Sequence, residues 1–453
     1  MTSNLHVSGR AIPPAKLRQA FLCLAAAATA TLLVQLPTDA RAETSVELRT
    51  EIDELLKKVE ALERKQLAAE SHPAAADNNV VTGGSIPGSF KLPGSDTSVK
   101  LGGYIKLDAI FSDRSAGVGS TGDQEYEAGS VPVGPDAGAN ERNQVKLHAR
   151  QSRFFAQTST PSRWGDVTTY FEGDLFGSAG NESVSNSNGF RVRHAYGTLG
   201  NLLVGQTWTT FSDVATYPET LDFGGPAGTI FARQAQVRWT QPFKGGQWSI
   251  AVENPETVVS LPTGESFRAD DDRFPDIAGN IKFDTAWGKY SIAGIARQLR
   301  IDSASAPASR DQKWGAAFGL NGVIPLAGRD DVRLSTYYGN AIGRYSVGFF
   351  SDAVLDSNAH IALPTQWLAM AAYRHFWTPN LRSTLALSTL RANNPAGTAG
   401  IVNKSADSAH LNLIWSPTTQ TNLGLEFIHA TRQIENGQTG HLNRLQASAQ
   451  YAF

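Results

Sequence analysis

Val99-Lys100-Leu101-Gly102-Gly103-Tyr104-Ile105-Lys106-Leu107-Asp108-Ala109-Ile110-Phe111 decides how the rest of the chain is read. In an extended chain successive side chains point to opposite faces. Val99, Leu101, Ile105, Leu107, Ala109 and Phe111 therefore share one face, and Lys100, Tyr104, Lys106 and Asp108 share the other. The last stretch repeats the pattern, with Leu445, Ala447, Ala449, Tyr451 and Phe453 opposite Arg444, Gln446, Ser448 and Gln450. Between the two lie about fourteen further alternating segments of bilayer-crossing length. They begin near Gln144, Gly165, Phe190, Asn201, Phe231, Gln247, Asp276, Lys289, Gln312, Asp331, Gln366, Leu381, Ala406 and Thr421. The pattern predicts an all-β transmembrane barrel of about 16 antiparallel strands over residues 99–453.

The connections carry the same message. Every second one is tight: Thr160-Pro161-Ser162-Arg163, Gly200-Asn201, Lys244-Gly245-Gly246, Trp287-Gly288-Lys289, Ala327-Gly328-Arg329, Thr378-Pro379-Asn380 and Pro417-Thr418-Thr419. Those between are mostly long, among them Ser112 to Asn143, Gly177 to Gly189, Thr209 to Ile230, Asn254 to Arg273 and Arg344 to Thr365. Short turns on one rim and long loops on the other are the outer-membrane pattern, and a soluble sandwich has no reason to segregate its loops so. Trp239, Trp248, Trp287, Trp377 and Trp415 fall beside the short turns, and Trp208, Trp314 and Trp367 at the opposite strand ends. Two aromatic girdles at the lipid interfaces are expected. Closure would also give every backbone group a partner in lipid, which an open sheet cannot.

Composition narrows the function. The 453 residues carry a formal net charge of -2, without the basic excess of a nucleic-acid binder. No apolar run in the body is long enough for a bilayer-crossing helix, whereas alternating strands average out as polar. The nine histidines form no H-E-x-x-H pattern, and the single cysteine, Cys23, lies near the N-terminus. Neither an enzyme, nor a metal site, nor a cofactor is expected. Asp270-Asp271-Asp272 reads as a solvated acidic loop.

The N-terminus reads as an address followed by a spacer. Arg10, Lys16 and Arg18 precede the apolar run Ala20 to Leu36, and Ala40-Arg41-Ala42 is an A-x-A site. Residues 1–42 are thus expected to be a signal peptide, cleaved before Glu43. Its removal takes four basic residues and one acid, leaving 36 basic against 41 acidic and a charge of -5. Over residues 43–70, Leu48, Ile52, Leu55, Val59, Leu62, Gln66 and Ala69 alternate spacings of four and three, the seam of a short coiled-coil helix. Three heptads are too few for a stable lone helix, so it needs an assembly that brings copies together, whether two or three. Residues 71–98, rich in Gly, Pro and Ser, read as a flexible linker.

Two resemblances follow. The terminal Tyr451-Ala452-Phe453 resembles the signature by which bacterial outer-membrane barrels are handed to the barrel-insertion machinery, which implies that Phe453 is read there and that the chain resides in a Gram-negative outer membrane with its N-terminal helix in the periplasm. The run from Gly88 to Asp108 resembles the opening of the DcaP-like outer-membrane porins. So do Arg150-Gln151-Ser152-Arg153-Phe154, Arg193-His194-Ala195-Tyr196-Gly197, Gly205-Gln206-Thr207-Trp208 and the segment from Pro218 to Pro226. These motifs cover the linker and about the first third of the barrel. The resemblance implies a homotrimer of sixteen-stranded barrels with a coiled-coil extension, passing small anionic solutes such as dicarboxylates and aromatic acids, with lipid and lipopolysaccharide outside.

The alternation itself assigns a lumen. If Val145, Leu147 and Ala149 face lipid, Lys146, His148 and Arg150 point inward, and Phe190 and Val192 outward put Arg191 and Arg193 inside. The same rule places Arg238, Arg333, Arg382, Arg432 and Arg444 inside, against the acids Asp108, Glu172, Asp174 and Glu426. Arg153 breaks the alternation, so a bulge is expected there and its direction stays open. A net positive lumen raises the local concentration of anions, and arginine grips a carboxylate in two places. The loop from Thr209 to Ile230 follows the fifth strand, where such barrels fold a loop into the pore. Its Asp213, Glu219 and Asp222 are expected to face basic wall residues across the constriction, with Arg233 at the boundary. Arginines outnumber the tyrosines placed inward, Tyr104, Tyr170 and Tyr337, which favours an anion channel over the alternatives of a phosphate-selective or sugar-selective porin. A structural tether to the cell wall, with a plugged barrel, is the reading from another class.

Overall fold

The computed structural model describes residues 49–61, 81–114, 125–134, 142–178, 184–303, 308–347 and 350–453. The chain divides into two units, Met1–Val80 and Val81–Phe453. In the first, residues 49–61 form an α-helix with Leu55 and Val59 exposed. The expected signal peptide and the remainder of the expected coiled coil lie outside the described residues.

In the second unit the alternating segments become sixteen strands. They are β1 (Ser98–Arg114), β2 (Arg142–His148, continued after a break by Arg153–Thr160), β3 (Val167–Asp174), β4 (Arg191–Leu199), β5 (Leu202–Trp208) and β6 (Arg233–Phe243). There follow β7 (Gly246–Glu253), β8 (Asp276–Thr285), β9 (Gly288–Ser303), β10 (Ser309–Pro325) and β11 (Asp331–Gly339). The last are β12 (Thr365–Thr378), β13 (Leu381–Asn393), β14 (Asn403–Trp415), β15 (Thr421–Ile434) and β16 (Thr439–Ala452). Each pairs antiparallel with the next, and β16 returns to β1 from Tyr104↔Ala452 to Ser112↔Arg444. The barrel is therefore closed, and no strand edge meets lipid.

The pleat separates the two environments as the sequence reading expects. On β1, Leu101, Ile105, Leu107 and Phe111 are exposed on the outer wall, whereas Lys106, Asp108 and Ser112 are buried inside. Trp239, Trp248, Trp287, Trp377 and Trp415 are exposed near the tight-turn rim, and Trp314 and Trp367 toward the other. The tight turns need backbone that L side chains avoid: Gly200 sits at φ 57° and Gly245 at φ 84°. The segment expected to be a flexible linker is built where it nears the barrel. From Val81 onward it belongs to the folded unit, and Phe90–Lys91 pairs with Ser98 and Val99 of β1.

Two loop segments enter the lumen and pack against its wall. Residues 209–232 fold into the barrel, and Gly228 lies so close to the wall that a Cβ would meet the carbonyls of Ala369 at 2.2 Å and Thr389 at 2.7 Å. Residues 125–134 enter as well, with the Asn403 amide donating to the Gly129 carbonyl and Arg432 to that of Val131. Phe211, Ile230, Tyr126 and Tyr345 from the loops pack with inward Tyr337, Leu368, Leu390, Ile428 and Leu442 of the wall in one apolar cluster. Each such fully buried side chain contributes roughly 1.5–3 kcal/mol, so the loops are held inside by a core of their own. Above the same rim, loops 254–275 and 340–364 build a four-stranded sheet around Val259, Ile301, Ala353, Leu355 and Ile361.

Candidate functional site

Two bulges gather the basic side chains on the wall. Between the pairs Tyr104↔Arg153 and Asp108↔His148, β1 advances four residues and β2 five, so β2 carries one extra residue. Ser152 mends the ladder there, its hydroxyl accepting the Lys106 N–H at 3.0 Å. Before the bulge Lys146, His148 and Arg150 face inward between exposed Val145 and Leu147; after it Phe154 faces lipid, and Arg153 and Phe155 face the lumen. On β4 the partners of Glu172 and Gly173 are His194 and Val192, again one residue extra. Arg193 and His194 are consequently both buried inside, at 3% and 7% exposure.

Three guanidiniums converge on two wall carboxylates, and two more lie beside them. Arg191 donates to both oxygens of Asp174, Nε at 2.9 Å and Nη2 at 2.8 Å. Arg193 donates from Nε to Glu172 at 2.7 Å and from Nη1 to Asp174 at 3.1 Å, and Arg153 Nε lies 3.4 Å from Glu172. Arg150 donates to the carbonyls of Leu175 and Ser178. Arg233 Nη1 is buried and has no hydrogen-bond partner among the described residues. Arg153, Arg191, Arg193 and Arg233 against Glu172 and Asp174 leave the described group net positive.

Aromatic rings interleave with these cations. Arg150 and Arg191 lie over Phe176, at 4.9 and 5.2 Å from its centroid. Arg191 and Arg193 lie over Phe223 at 5.0 and 5.5 Å, Arg193 and Arg233 over Trp208 at 6.0 and 4.9 Å, and Arg233 also over Phe231 at 5.1 Å. Each stack is worth about 0.5–2 kcal/mol and fixes the plane of its guanidinium. Trp208 thus departs from its expected place in a lipid girdle: it packs among His194, Tyr217 and Phe231 inside the barrel.

The acids of the pore loop are bonded directly to the wall. Asp213 accepts from Lys282 Nζ at 2.9 Å and Ser291 Oγ at 2.6 Å. Glu219 accepts from Arg382 Nε at 2.7 Å and Nη2 at 2.5 Å. Asp222 accepts from Arg444 Nη1 at 2.9 Å and from the amides of Tyr126 and Gly224 at 2.8 and 2.9 Å. Burial pushes the Asp222 carboxyl up, but Arg444 and the two N–H groups outweigh it and hold it below the usual carboxylate range. Each acid is an anchor paired with a wall cation on β8, β13 or β16. To the arginines the loop offers Phe223 and Phe231.

The other inward basic residues are spent or lie apart. Arg333 is bonded to Asp331, Arg382 to Glu219, and Arg432 to Asn403. His148 packs edge-on to Phe176 at 5.8 Å, Lys146 is half-buried, and Arg238 lies further along β6 toward the tight-turn rim. The sequence reading missed every loop ring, because alternation says nothing about a loop. The signal available was the aromatic content of the loop itself, Phe211, Tyr217, Phe223 and Phe231.

A closed barrel of sixteen antiparallel strands with an apolar outer belt and a loop folded into its lumen defines an outer-membrane porin fold. The model of the DcaP outer membrane protein family matches residues 38–453. The chain belongs to that family, and its place is the Gram-negative outer membrane. Its fold is similar to that of the outer membrane channel DcaP of Acinetobacter baumannii, at 23% identity and a TM-score of 0.69 over 79% of this chain and 97% of that one. It is also similar to an anion-selective porin from Comamonas acidovorans, at 12% identity and a TM-score of 0.52 over 79% of this chain and 100% of that one. No curated protein matches the chain.

Proposed function

We propose that this chain is a passive porin for small anionic solutes, of the class of dicarboxylates and aromatic acids, and that Arg150, Arg153, Arg191, Arg193 and Arg233 carry the selectivity. The observation behind this reading is the imbalance on the inner wall: Arg153, Arg191 and Arg193 share Glu172 and Asp174, and neighbouring Arg233 has a buried donor without an acceptor among the described residues. In a narrow space walled by protein, such an imbalance attracts anions and repels cations. The stacked rings keep the guanidiniums apart and oriented, so the fork of one can grip a carboxylate as it leaves another. A sugar path would need open ring faces, and here Phe176, Phe223 and Trp208 each carry two guanidiniums. The fold shared with a porin described as anion-selective supports the reading. We also assign the helix at residues 49–61 to a coiled coil that holds a trimer, on its heptad and its exposed Leu55 and Val59. The test is competition. Phthalate or succinate added to chloride current through the purified protein should interrupt it in a concentration-dependent way, and Arg193→Ala should raise the concentration needed about tenfold, a loss of ~1.4 kcal/mol. Equal interruption by uncharged analogues would contradict it.

A further inference from the structure

A cavity of about 220 Å³ adjoins the basic cluster where residues 125–134, the pore loop and the loop from residue 340 meet. It is smaller than the ~300–1,000 Å³ of drug-sized sites, which limits an occupant to one ring. Its lining carries both signs of charge. Arg191 lines it with both Asp174 bonds made through Nε and Nη2, leaving Nη1 outside that pair. Arg344 joins it, with a buried Nε that has no hydrogen-bond partner among the described residues. The acids of the same lining are Glu125 and Glu127.

Glu125 is the unexplained group. It is only 8% exposed, yet no hydrogen bond or ion pair to its carboxyl is found among the described residues. A carboxyl on a buried residue without a partner is costly, and Glu125 lines a cavity large enough for a second molecule. Phe223 and Phe231, 5.8 Å apart and near perpendicular, and Tyr126 supply apolar wall to the same cavity. A plain carboxylate would satisfy the arginines and leave Glu125 facing an anion. A plain amine would meet the reverse mismatch. A solute with both groups on one carbon answers both signs of charge.

We propose that this cavity binds the zwitterion of a single-ring amino acid, its carboxylate on Arg191 and Arg344, its ammonium on Glu125, and its ring against Phe223 and Phe231. The inference rests on the pore reading, since the solute arrives through the long-loop rim, and it adds a solute class that an arginine cluster alone would not favour. The test uses the full chain in planar bilayers with four probes: phenylalanine, 3-phenylpropanoate, which lacks only the ammonium, 2-phenylethylamine, which lacks only the carboxylate, and alanine, which lacks the ring. Phenylalanine should interrupt the current at a concentration at least tenfold below the other three, and Glu125→Gln should bring it level with 3-phenylpropanoate. The proposal is overturned if 3-phenylpropanoate or alanine acts as well as phenylalanine on the unaltered protein, or if Glu125→Gln leaves phenylalanine unaffected. The probe series on the unaltered protein decides the matter even where the variant fails to fold. An unaltered protein that does not conduct overturns the pore reading instead; equilibrium dialysis of the detergent-solubilised protein against the same probes then tests the cavity by itself.

Discussion

Arg193 shows how a single residue comes to serve the pore. A bulge on β4 places it beside His194 on the inner wall, Glu172 and Asp174 bind it, and Phe223 and Trp208 flank it. Its inward direction was legible from Phe190 and Val192, but its ring neighbours were not, because they come from segments without period. Arg153 was legible only as a break in the alternation, and the extra residue at 149–152 is that break. Glu125 lies wholly outside what pattern shows: burial pushes its carboxyl up to about 8, against the pull of Arg191 and Arg150, with Glu127 and Asp222 nearby adding to the rise. In the empty cavity a carboxyl so raised is neutral below about pH 8 and charged above it, and an ammonium seated beside it would draw it back into the charged form. The chloride preference should therefore fall as pH rises from 7 to 9, measured as a shift in reversal potential, and Glu125→Gln should flatten that step. An anion preference that strengthens with pH would contradict the assignment.

Among the elements, the pore loop has the most to hold it. Asp213, Glu219 and Asp222 tie it to β8, β13 and β16 in turn, and Glu426 accepts the amides of Leu221 and Asp222 at 2.8 and 3.1 Å. Asp222 and Arg444 are both fully buried as a pair, and removing one partner of such a pair costs about 3–5 kcal/mol. Asp222→Ala should free the loop, giving a noisier and larger single-channel current together with a lower unfolding temperature of the barrel. An unchanged current trace would mean that the apolar cluster alone fixes the loop. That the loop after the fifth strand enters the pore was foreseen in the sequence; that its acids are anchors was not, since their partners lie some 70 to 220 residues away along the chain. The helix at residues 49–61 yields its own prediction. Deleting residues 43–70 should leave folded barrels that cross-link as trimers less efficiently, and unchanged cross-linking would remove the helix from the assembly.

For the molecule as a whole, charge is sorted by placement rather than by sum. A chain with a formal charge of -2 sets five arginines along one stretch of inner wall and compensates the pore-loop acids on the other. The strand number, the two rims and most of the outer aromatic belt follow from a period of two and the position of turns, and these were readable before any coordinates. The apolar cluster inside the lumen was not, because the residues that pack there, such as Leu368, Leu390 and Leu442, read as ordinary exceptions to a polar inner face. The central claim, a pore whose selectivity comes from that basic stretch of wall, is tested most directly by the reversal potential of the purified protein in a planar bilayer under a KCl gradient. The account predicts a clear chloride preference that drops when Arg191 and Arg193 are both changed to Ala. A cation preference, or a chloride preference that the double substitution leaves intact, would contradict it.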